Sequence, residues 1–595
     1  MSIAKQISSD RLLINIDYEG DIVDLCWPIK GADNLLLRDK IEYFLWEGSN
    51  YLAKRGQDVS TSASYEVSGD NIRQEIEIVN NSVESKIVSL YLLLKPDFGS
   101  NKSRDCVLWD TINNSLIFYE RGKYLSVQCE SHKIEQFACH SPQDNNSLGA
   151  LPDKHGNLSN NPVATGEVEA SMKVNIRVKS KEATRVIFLY ALSNTPDGSR
   201  GMAKVKKKNE LVKKAKNIAS SLAEEVGLNA YYSERLMILA QTSAEITIGS
   251  LNENGSIFAA VDSTPIKNGG VEDYSYMWGR DAALTIMSLL NFIDLLSPSY
   301  VRKLTRGFDF LATGYSTYGF EVHRFHLDQP VPASTWHEIS NERQMQIDQL
   351  ALVLIAYDKF KKVTGNSSKK FERILDDAVD FLSGYVEDSG LHKPCFDLWE
   401  NHFGQFLSEQ IALTKVLEVY GRKELAEMSR KQIVNYFFDS EKNSFTRGNF
   451  EKYHEKIAGD DLDASFHWLW QFEMIPADHK QLKSTIEHTE KYLRAENGGY
   501  LRYVKDFYLL EDETKNGNPW YITTLWFAQY YLKTGDLAAT REAIEFVLDH
   551  MEPTGLLPEM AEANTGLSLS VRPLVWSHVE LLNLLHLKES KKSQI

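Results

Sequence analysis

The sequence lacks the marks of several protein classes. Its five cysteines are scattered without a CxxC or CxxH pair, which argues against a zinc ribbon and a disulfide framework. No run approaches the roughly 20 apolar residues that a bilayer-spanning helix needs. The first residues, MSIAKQISSDRLL, hold neither an apolar core segment nor a small-residue cleavage site. We therefore expect a cytoplasmic protein with reduced thiols and no membrane partner.

An excess of positive charge is also missing. The chain has 66 Lys and Arg against 82 Asp and Glu, a formal charge of −16 that repels phosphate backbones. Nucleic acid is therefore excluded as an expected partner. Hydrophobic residues make up 43% and charged residues 25%, which excludes disordered, collagen and coiled-coil chains. Aromatic residues, at 11%, are the one compositional excess, and their rings suit sugars as well as ordinary cores.

The first 200 residues contain short segments rich in Val, Ile, Tyr and Phe, separated by Asn, Ser, Asp and Gly. Examples are SASYEVSGDNIRQEIEIVNN, SKIVSLYLLLKPDF and TRVIFLYAL. Alternation with frequent turn residues is typical of antiparallel strands. The pattern predicts a β-sandwich domain over residues 1–200.

A lysine-rich segment follows, MAKVKKKNELVKKAKNIASSLAEEVG. Its composition favours a helix, and its charge admits either a basic recognition surface or a solvated linker. We interpret residues 201–230 as a solvated helical linker.

From residue 231 to 595, apolar residues recur at three- and four-residue spacing. Examples are RDAALTIMSLLNFIDLL, IDQLALVLIAYDKFKKV and PWYITTLWFAQYYLKTG. Each predicts a helix, and there are about a dozen such segments. Paired as hairpins they would close into an α/α toroid, although a loose helical array has the same periodicity.

Aromatic and acidic residues concentrate in the links between these helices. The first link, GGVEDYSYMWGRDAAL, places Tyr274 and Trp278 beside Arg280 and Asp281. Stacking rings next to a paired cation and anion suit a polyhydroxylated ring. The alternative is that Asp281 is only an acid in the first turn of a helix.

The second link holds Trp336 and His337 and ends at Asp348. A metal site formed by His323, His326 and His337 is an alternative, but the spacings match no usual zinc pattern.

Two glutamates lie in separate aromatic links. Glu400 directly follows Trp399, and a carboxyl against an indole is expected to have a raised pKa. Glu559 lies in a later link rich in Gly and Pro. Two such carboxyls are what inverting glycoside hydrolysis needs, one to protonate the leaving oxygen and one to activate water. A solvated or helix-start glutamate is the alternative for Glu400.

Four motifs in order, DYSYMWGRD, FDLWEN, NGNPWYITTLW and GLLPEM followed by RPLVWSH, resemble those of glycoside hydrolase family 15. This family contains glucoamylases, glucodextranases and certain trehalases. The N-terminal segments DLCWPIKG and LWDTINNSLIFYERGKYLSVQ resemble the β-domain of its prokaryotic branch. The resemblance implies a mixed multi-domain fold, in which an N-terminal β-supersandwich precedes an all-α (α/α)6 barrel.

The resemblance also implies the roles of particular residues. Glu400 is the expected general acid and Glu559 the expected general base, while Arg280 and Asp281 are expected to hold the terminal glucose. The remaining residues expected to bind substrate are Tyr274, Trp278, Trp336, His337, Asp348, Trp399, Asn401, Arg502 and Trp520. No cofactor and no metal take part in the implied chemistry.

Two positions depart from the family pattern. Asn401 replaces the second glutamate of DLWEE, and Met560 replaces the glutamine that follows the base. An amide still bonds to hydroxyl groups, so the first change bears on linkage preference more than on activity.

The leading hypothesis is an exo-acting, inverting hydrolase that releases β-glucose from the non-reducing ends of α-linked gluco-oligosaccharides. Trehalose and α-1,6-linked substrates remain open within the family. A phosphorylase of similar architecture would lack the base, so the presence of Glu559 argues against it. A non-catalytic glucan-binding regulator is the alternative from another class.

Overall fold

Strands and helices occupy different parts of the chain. The computed structural model describes residues 3–9, 11–27, 40–48, 50–98, 105–111, 113–120, 122–141, 149–195, 210–262, 274–333, 345–450, 459, 461–512 and 514–592. The chain divides into two units, Met1–Lys207 with Asp262–Lys267, and Lys208–Val261 with Asn268–Ile595.

The first unit is built of antiparallel strands. In its described residues these are β1 (Ile3–Ser8), β2 (Leu13–Asp17), β3 (Ile22–Cys26), β4 (Glu42–Glu47), β5 (Asn50–Leu52), β6 (Val59–Ser68), β7 (Asn71–Asn80), β8 (Lys86–Leu94), β9 (Cys106–Asp110), β10 (Ser115–Glu120), β11 (Lys123–Cys129), β12 (Gln136–His140), β13 (Val163–Thr165), β14 (Glu169–Val178) and β15 (Ala183–Ser193). A seven-stranded sheet has the order β13-β9-β10-β11-β15-β7-β6, and a five-stranded sheet the order β12-β14-β8-β4-β5. A third sheet has the order β1-β2-β3.

Alternation along the strands explains how these sheets pack. Every second residue of β7 is buried, including Ile72, Ile76 and Ile78. These side chains share one hydrophobic cluster with Leu90 of β8 and Val174 of β14, in the other large sheet. A period of two puts one face of each strand in the core. The predicted β-rich N-terminal region is confirmed.

The second unit is mainly helical. In its described residues the helices are α1 (Glu210–Val226), α2 (Ala230–Gly249), α3 (Gly279–Leu290), α4 (Pro298–Tyr318), α5 (Ile347–Thr364), α6 (Lys369–Glu372), α7 (Leu375–Ser383), α8 (Leu407–Val419), α9 (Lys423–Asn435), α10 (Trp468–Gln471), α11 (Lys480–Leu493), α12 (Tyr521–Thr534), α13 (Leu537–His550) and α14 (Val575–Lys592), with 3-10 turns at Ile293–Leu295 and Ala464–His467. Short strands in the links are β16 (Tyr276–Trp278), β17 (Arg324–His326), β18 (Cys395–Phe396), β19 (Phe403–Phe406), β20 (Phe438–Asp439), β21 (Ser444–Phe445), β22 (Gly448–Phe450), β23 (Met560–Ala561) and β24 (Ser568–Leu569). Within the described residues, no helix is both long enough and apolar enough to cross a membrane.

Several helices are buried on nearly all sides. Most residues of α3, α5, α8 and α12 are buried, including polar ones such as Glu409 and Gln410 of α8, as expected for helices inside a large core. In order, α3 contacts α5, α5 contacts α8, and α8 contacts the turn Ala464–His467. That turn contacts α12, which contacts α14, and α14 contacts α3 again. The predicted helical region is thus confirmed, and its inner elements form a closed series of contacts.

The helix predicted in the lysine-rich segment is present as α1, but it is not solvated on all sides. Leu211, Ile218 and Leu222 on one of its faces are buried, and the helix contacts α2 and α14. Because apolar residues recur on one face, the helix packs on its neighbours while its lysines face outward. The expectation of a solvated helix is therefore wrong for α1, whereas residues 201–209 lie outside the described residues and the linker role of residues 201–230 stays a prediction. The predicted domain boundaries stay predictions.

Candidate active site

A cavity of about 270 Å³ lies at the N-terminal ends of the inner helices. Its walls come from the segments that precede α3, α8, α12 and α14 and from the first turns of three of these helices. The lining residues are Ala259, Tyr274, Trp278, Arg280, Asp281, Leu398, Trp399, Glu400, Asn401, Arg502, Tyr508, Trp520, Ile522, Glu559, Leu574 and Trp576. Links far apart in the sequence thus meet because their helices begin on the same side of the unit.

Arg280 connects three carboxylates at the cavity wall. Its guanidinium donates to Asp348 Oδ2 at 3.2 Å and to Glu400 Oε1 at 3.0 Å, and its Nε lies 3.7 Å from Asp281 Oδ2. Burial alone would lower the pKa of Arg280, but the three anions outweigh it and raise that pKa. Asp281 is also buried, and its pKa rises to about 6 because burial outweighs the pull of Arg280.

The backbone around Glu400 is held in a tight turn. Glu400 has a φ of 65°, which is uncommon for a residue other than glycine. Its amide donates to the carbonyl of Asp397 at 2.9 Å. The carboxylate of Asp397 in turn accepts from the amides of Asn401 and His402 and pairs with the buried Arg447. This network fixes the turn that presents Glu400 to the cavity.

The carboxyl of Glu400 lies between two basic groups. Oε1 accepts from Arg280, and Oε2 lies 2.9 Å from Nε2 of His323. Burial raises the pKa of Glu400, but His323 and Arg280 together lower it to about 2. The expectation that Trp399 would raise this pKa is therefore wrong. The indole N–H of Trp399 points instead to Asp463, 3.0 Å from Oδ2.

Glu559 has a different set of partners. The hydroxyl of Tyr274 donates to both of its oxygens, at 3.2 and 3.3 Å, and that of Ser570 donates at 2.5 Å. Ser570 reaches Glu559 because β23 and β24, which begin and end beside these two residues, pair as a hairpin. Burial is the largest influence and raises the pKa of Glu559 to about 7, against the opposing effects of Ser570, Arg502 and Tyr274.

Tryptophans form much of the cavity wall. Trp399 stacks with Trp576 at a ring separation of 6.3 Å and lies 6.1 Å from Trp520. The indole N–H groups of Trp278 and Trp520 are buried without a hydrogen-bond partner among the described residues. Buried donors are normally satisfied, so these two are available to a hydroxyl-bearing ligand.

The predicted leaving-group side is also ordered. Arg502 pairs with both oxygens of Asp506, at 2.6 and 2.7 Å, and its guanidinium lies 4.0 Å from the ring of Trp520. Asn401 donates to the hydroxyl of Tyr503 at 2.7 Å. The amide that replaces a glutamate is therefore already held by one protein contact.

Comparison with known proteins identifies the family. The model of glycosyl hydrolases family 15 matches residues 237–586, more than half of the chain and all of the cavity lining. The chain belongs to this family. It is accordingly a glycoside hydrolase.

Relatives of this family 15 hydrolase are distant in sequence. It is 23% identical over 540 residues to an uncharacterized glycosyl hydrolase of Methanocaldococcus jannaschii, over 85% of this chain and 82% of that one. It is 24% identical over 331 residues to Trehalase 2 of Sulfolobus acidocaldarius, over 51% of this chain and 55% of that one. Among solved structures, a bacterial glucoamylase complexed with acarbose aligns with a TM-score of 0.64 and 14% identity, over 98% of this chain and 93% of that one. That likeness shows a glucoamylase-like fold.

The cavity brings together most of the predicted site residues of the hydrolase, from Tyr274 to Glu559. Asp348 does not line the cavity and instead holds Arg280 from behind. Trp336 and His337 lie outside the described residues. Met560 is fully buried and does not line the cavity.

The alternative metal site finds no support in the parts of the chain that the structure describes. His323 faces Glu400, whereas His326 packs edge-on against Tyr276 at 5.4 Å. No group of three His, Cys, Asp or Glu side chains among the described residues has an arrangement that could hold a metal. His337 lies outside those residues.

Sequence reasoning missed several residues of the hydrolase's site. Tyr508, Trp576 and Ser570 lie in the aromatic links that the sequence singled out, so their position in those links was the available signal. His323 was considered only as a metal ligand. Nothing in its local sequence indicates a contact with Glu400, 77 positions away.

Proposed function

We propose that the hydrolase inverts configuration and releases β-glucose from the non-reducing ends of α-glucosides. The observation that carries the proposal is the pair of carboxyls, Glu400 and the buried Glu559, which line one tryptophan-walled cavity with different partners. Inversion requires one carboxyl on each side of the scissile bond, with room for a water molecule. We also propose that the two units are a β-supersandwich and an (α/α)6 barrel, and that the protein acts in the cytoplasm.

In this proposal Glu559 is the general base. Tyr274 and Ser570 donate to its carboxylate and fix its orientation. A carboxylate with a pKa near 7 is a stronger base than an exposed one, and it is ionised above neutral pH. Glu559 therefore accepts a proton from water as the water oxygen attacks the anomeric carbon.

Glu400 is the general acid, and it must carry a proton when the glycosidic bond breaks. Arg280 and His323 favour its carboxylate form. A glucose ring held by Arg280 and Asp281 occupies the guanidinium with sugar hydroxyls, which weakens its hold on Glu400. Without substrate, Glu559 has the higher pKa of the two carboxyls. Substrate binding thus reverses this order, so that Glu400 then has the higher pKa.

The preferred substrates we propose are malto-oligosaccharides, as for a glucoamylase. Trehalose is the second candidate, because named trehalases are among the relatives and because Asn401 presents an amide on the leaving-group side. An α-1,6-linked substrate belongs to the same class. A glucan-binding regulator would not need both carboxyls, and their joint presence at the cavity supports catalysis instead.

The test is glucose release by the purified protein from maltose, maltotriose, isomaltose, trehalose and soluble starch, with the first anomer identified by NMR. We expect β-glucose, and we expect both Glu400→Gln and Glu559→Gln to reduce turnover by about 10²- to 10⁴-fold. Initial release of α-glucose would disprove inversion. Wild-type turnover by Glu559→Gln would disprove its role as base, and phosphate-dependent release of a sugar phosphate would indicate a phosphorylase.

A further inference from the structure

His323 lies behind the carboxyl of Glu400, away from the cavity. It precedes β17, is only 4% exposed, and does not line the cavity. Its Nε2 lies 2.9 Å from Oε2 of Glu400, close enough for proton transfer, although the geometry is not that of a linear hydrogen bond. Its ring meets the ring of Trp278 edge-on, at 6.1 Å and 88°.

Among the described residues, no second group holds the imidazole in place. Its Nδ1 is buried and has no hydrogen-bond partner among the described residues. A buried histidine that only stabilises a fold normally has its ring nitrogens bonded, as His392 does with the carbonyl of Lys393 and the amide N–H of Phe406. The close contact of His323 with a charged group is the one to Glu400, so the ring is suited to exchange a proton with that carboxyl.

The charges around the pair of His323 and Glu400 also favour one proton held by the pair as a whole. The groups that face the carboxyl of Glu400 are Arg280 and Asp281 on α3, Asp348 on α5, His323 before β17 and the hydroxyl of Tyr274. Against three carboxylates, Arg280 supplies one positive charge. A further proton on the pair of His323 and Glu400 brings this buried cluster closer to neutrality, which burial strongly favours.

We propose that His323 is a positioning residue that holds, together with Glu400, the proton that the leaving oxygen receives. The inference rests on the proposed function. The proton moves from Nε2 to Oε2 as Arg280 turns to the bound sugar, and Glu400 then gives a proton to the glycosidic oxygen as the bond from that oxygen to the anomeric carbon breaks. Water attacks the anomeric carbon and its proton goes to Glu559. Glu559 then releases its proton to solvent, and a proton returned from solvent to the pair of His323 and Glu400 completes the cycle.

The test compares two leaving groups in the variants His323→Asn and His323→Gln. A sugar leaving group needs a proton, whereas the fluoride of α-D-glucosyl fluoride leaves without one. We expect both variants to lose about 10²-fold or more in kcat on the best disaccharide, and less than about threefold on the fluoride. The high-pH limb of the kcat profile on the disaccharide should move to lower pH in both. Gln keeps an N–H donor but cannot take up and release a proton as an imidazole does. His323→Gln therefore shows whether Glu400 needs a neighbour that exchanges a proton or only a hydrogen-bond donor.

His467→Asn is the matched control. His467 is also a fully buried histidine of the second unit, its Nε2 has no hydrogen-bond partner in the part of the chain that the structure describes, and its ring packs on Phe527. We expect this variant to leave the ratio of the two substrates unchanged, even if it lowers the Tm.

Three results would overturn the proposal. These are an equal loss on both substrates, a loss confined to KM, and full rescue by Gln. If His323→Asn does not fold, His323→Gln alone decides between these outcomes. Failure of the wild-type protein to hydrolyse either substrate would instead reject the proposed function, so the two failures are distinguishable.

Discussion

The two site glutamates should affect stability in opposite directions. Burial raises the pKa of Glu559 from its ordinary 4.5 to about 7, whereas basic neighbours lower that of Glu400 to about 2. Each shift corresponds to about 3 kcal/mol of folding free energy. We therefore expect Glu559→Gln to stabilise the protein at neutral and higher pH, and Glu400→Gln to destabilise it, although both variants lose activity.

The sign and the pH range follow from linkage. The raised pKa of Glu559 means that the folded state holds this proton more tightly than the unfolded state. The protein is therefore most stable below pH 4.5 with respect to this group, and it loses that stability as pH rises through 7. Relative to wild type, Glu559→Gln should gain about 3 kcal/mol at pH 8 and about 1 kcal/mol at pH 5. The lowered pKa of Glu400 stabilises the fold above pH 4.5, so Glu400→Gln should cost about 3 kcal/mol at both pH values.

The assay is differential scanning calorimetry of wild type and the two variants at pH 5 and pH 8. The second unit has about 380 residues. At about 2.1 cal/mol/K per residue, its unfolding entropy converts 3 kcal/mol into a Tm change of about 4 °C. We expect a rise of about 4 °C for Glu559→Gln at pH 8, a rise of about 1 °C at pH 5, and a fall of about 4 °C for Glu400→Gln at both. A lower Tm for Glu559→Gln at pH 8 would refute the reasoning, because the buried carboxylate would then be stabilising.

Further predictions concern activity. The low-pH limb of kcat should have its midpoint near 7, since in the substrate complex Glu559 must lose its proton to act as base, and a pH series on the best substrate measures it. Asp506→Asn should free the charge of Arg502 and move this limb to lower pH, as seen in the same series; an unchanged limb would contradict the idea that Asp506 neutralises Arg502. Arg280→Ala should lower kcat/KM by about 10- to 150-fold, which corresponds to the loss of one hydrogen bond to a charged group. It should also raise KM, whereas Glu400→Gln should leave KM unchanged. Asn401→Glu should change the ratio of maltose to trehalose hydrolysis while leaving α-D-glucosyl fluoride unaffected, and an equal change on all three would show that the site itself is disturbed.

The fold was predictable where one period dominates. Alternation in β7 predicts a half-buried strand, and the mainly apolar composition of α12 predicts a buried helix. The packing of α1 was missed because the interpretation gave more weight to its lysines than to the helical spacing of Leu211, Ile218 and Leu222.

The sequence predicted which residues lie in the site better than it predicted their pKa values. Aromatic links with isolated acids indicated Arg280, Glu400 and Glu559, because functional groups concentrate in the segments that precede inner helices. The pKa of Glu400 was predicted in the wrong direction, since it depends on His323 and Arg280, which come from other segments. The residues next to a carboxyl in the sequence can indicate that it is desolvated. Its ionic partners come from distant segments, and only the tertiary fold shows which they are.

The pKa values of Glu400 and Glu559 differ because the two arginines nearest to them have different ion-pair partners. The guanidinium of Arg502 donates to both oxygens of Asp506. Because Asp506 neutralises most of its charge, Arg502 stabilises an ionised Glu559 only weakly. Arg280 instead divides its donors between Asp348 and Glu400, and His323 adds a second basic group on the Glu400 side. Burial is then the largest influence on Glu559, and ion pairing outweighs it at Glu400. One cavity therefore contains a strong carboxylate base and a carboxyl whose proton depends on its neighbours, and a sugar that engages Arg280 changes the second without changing the first.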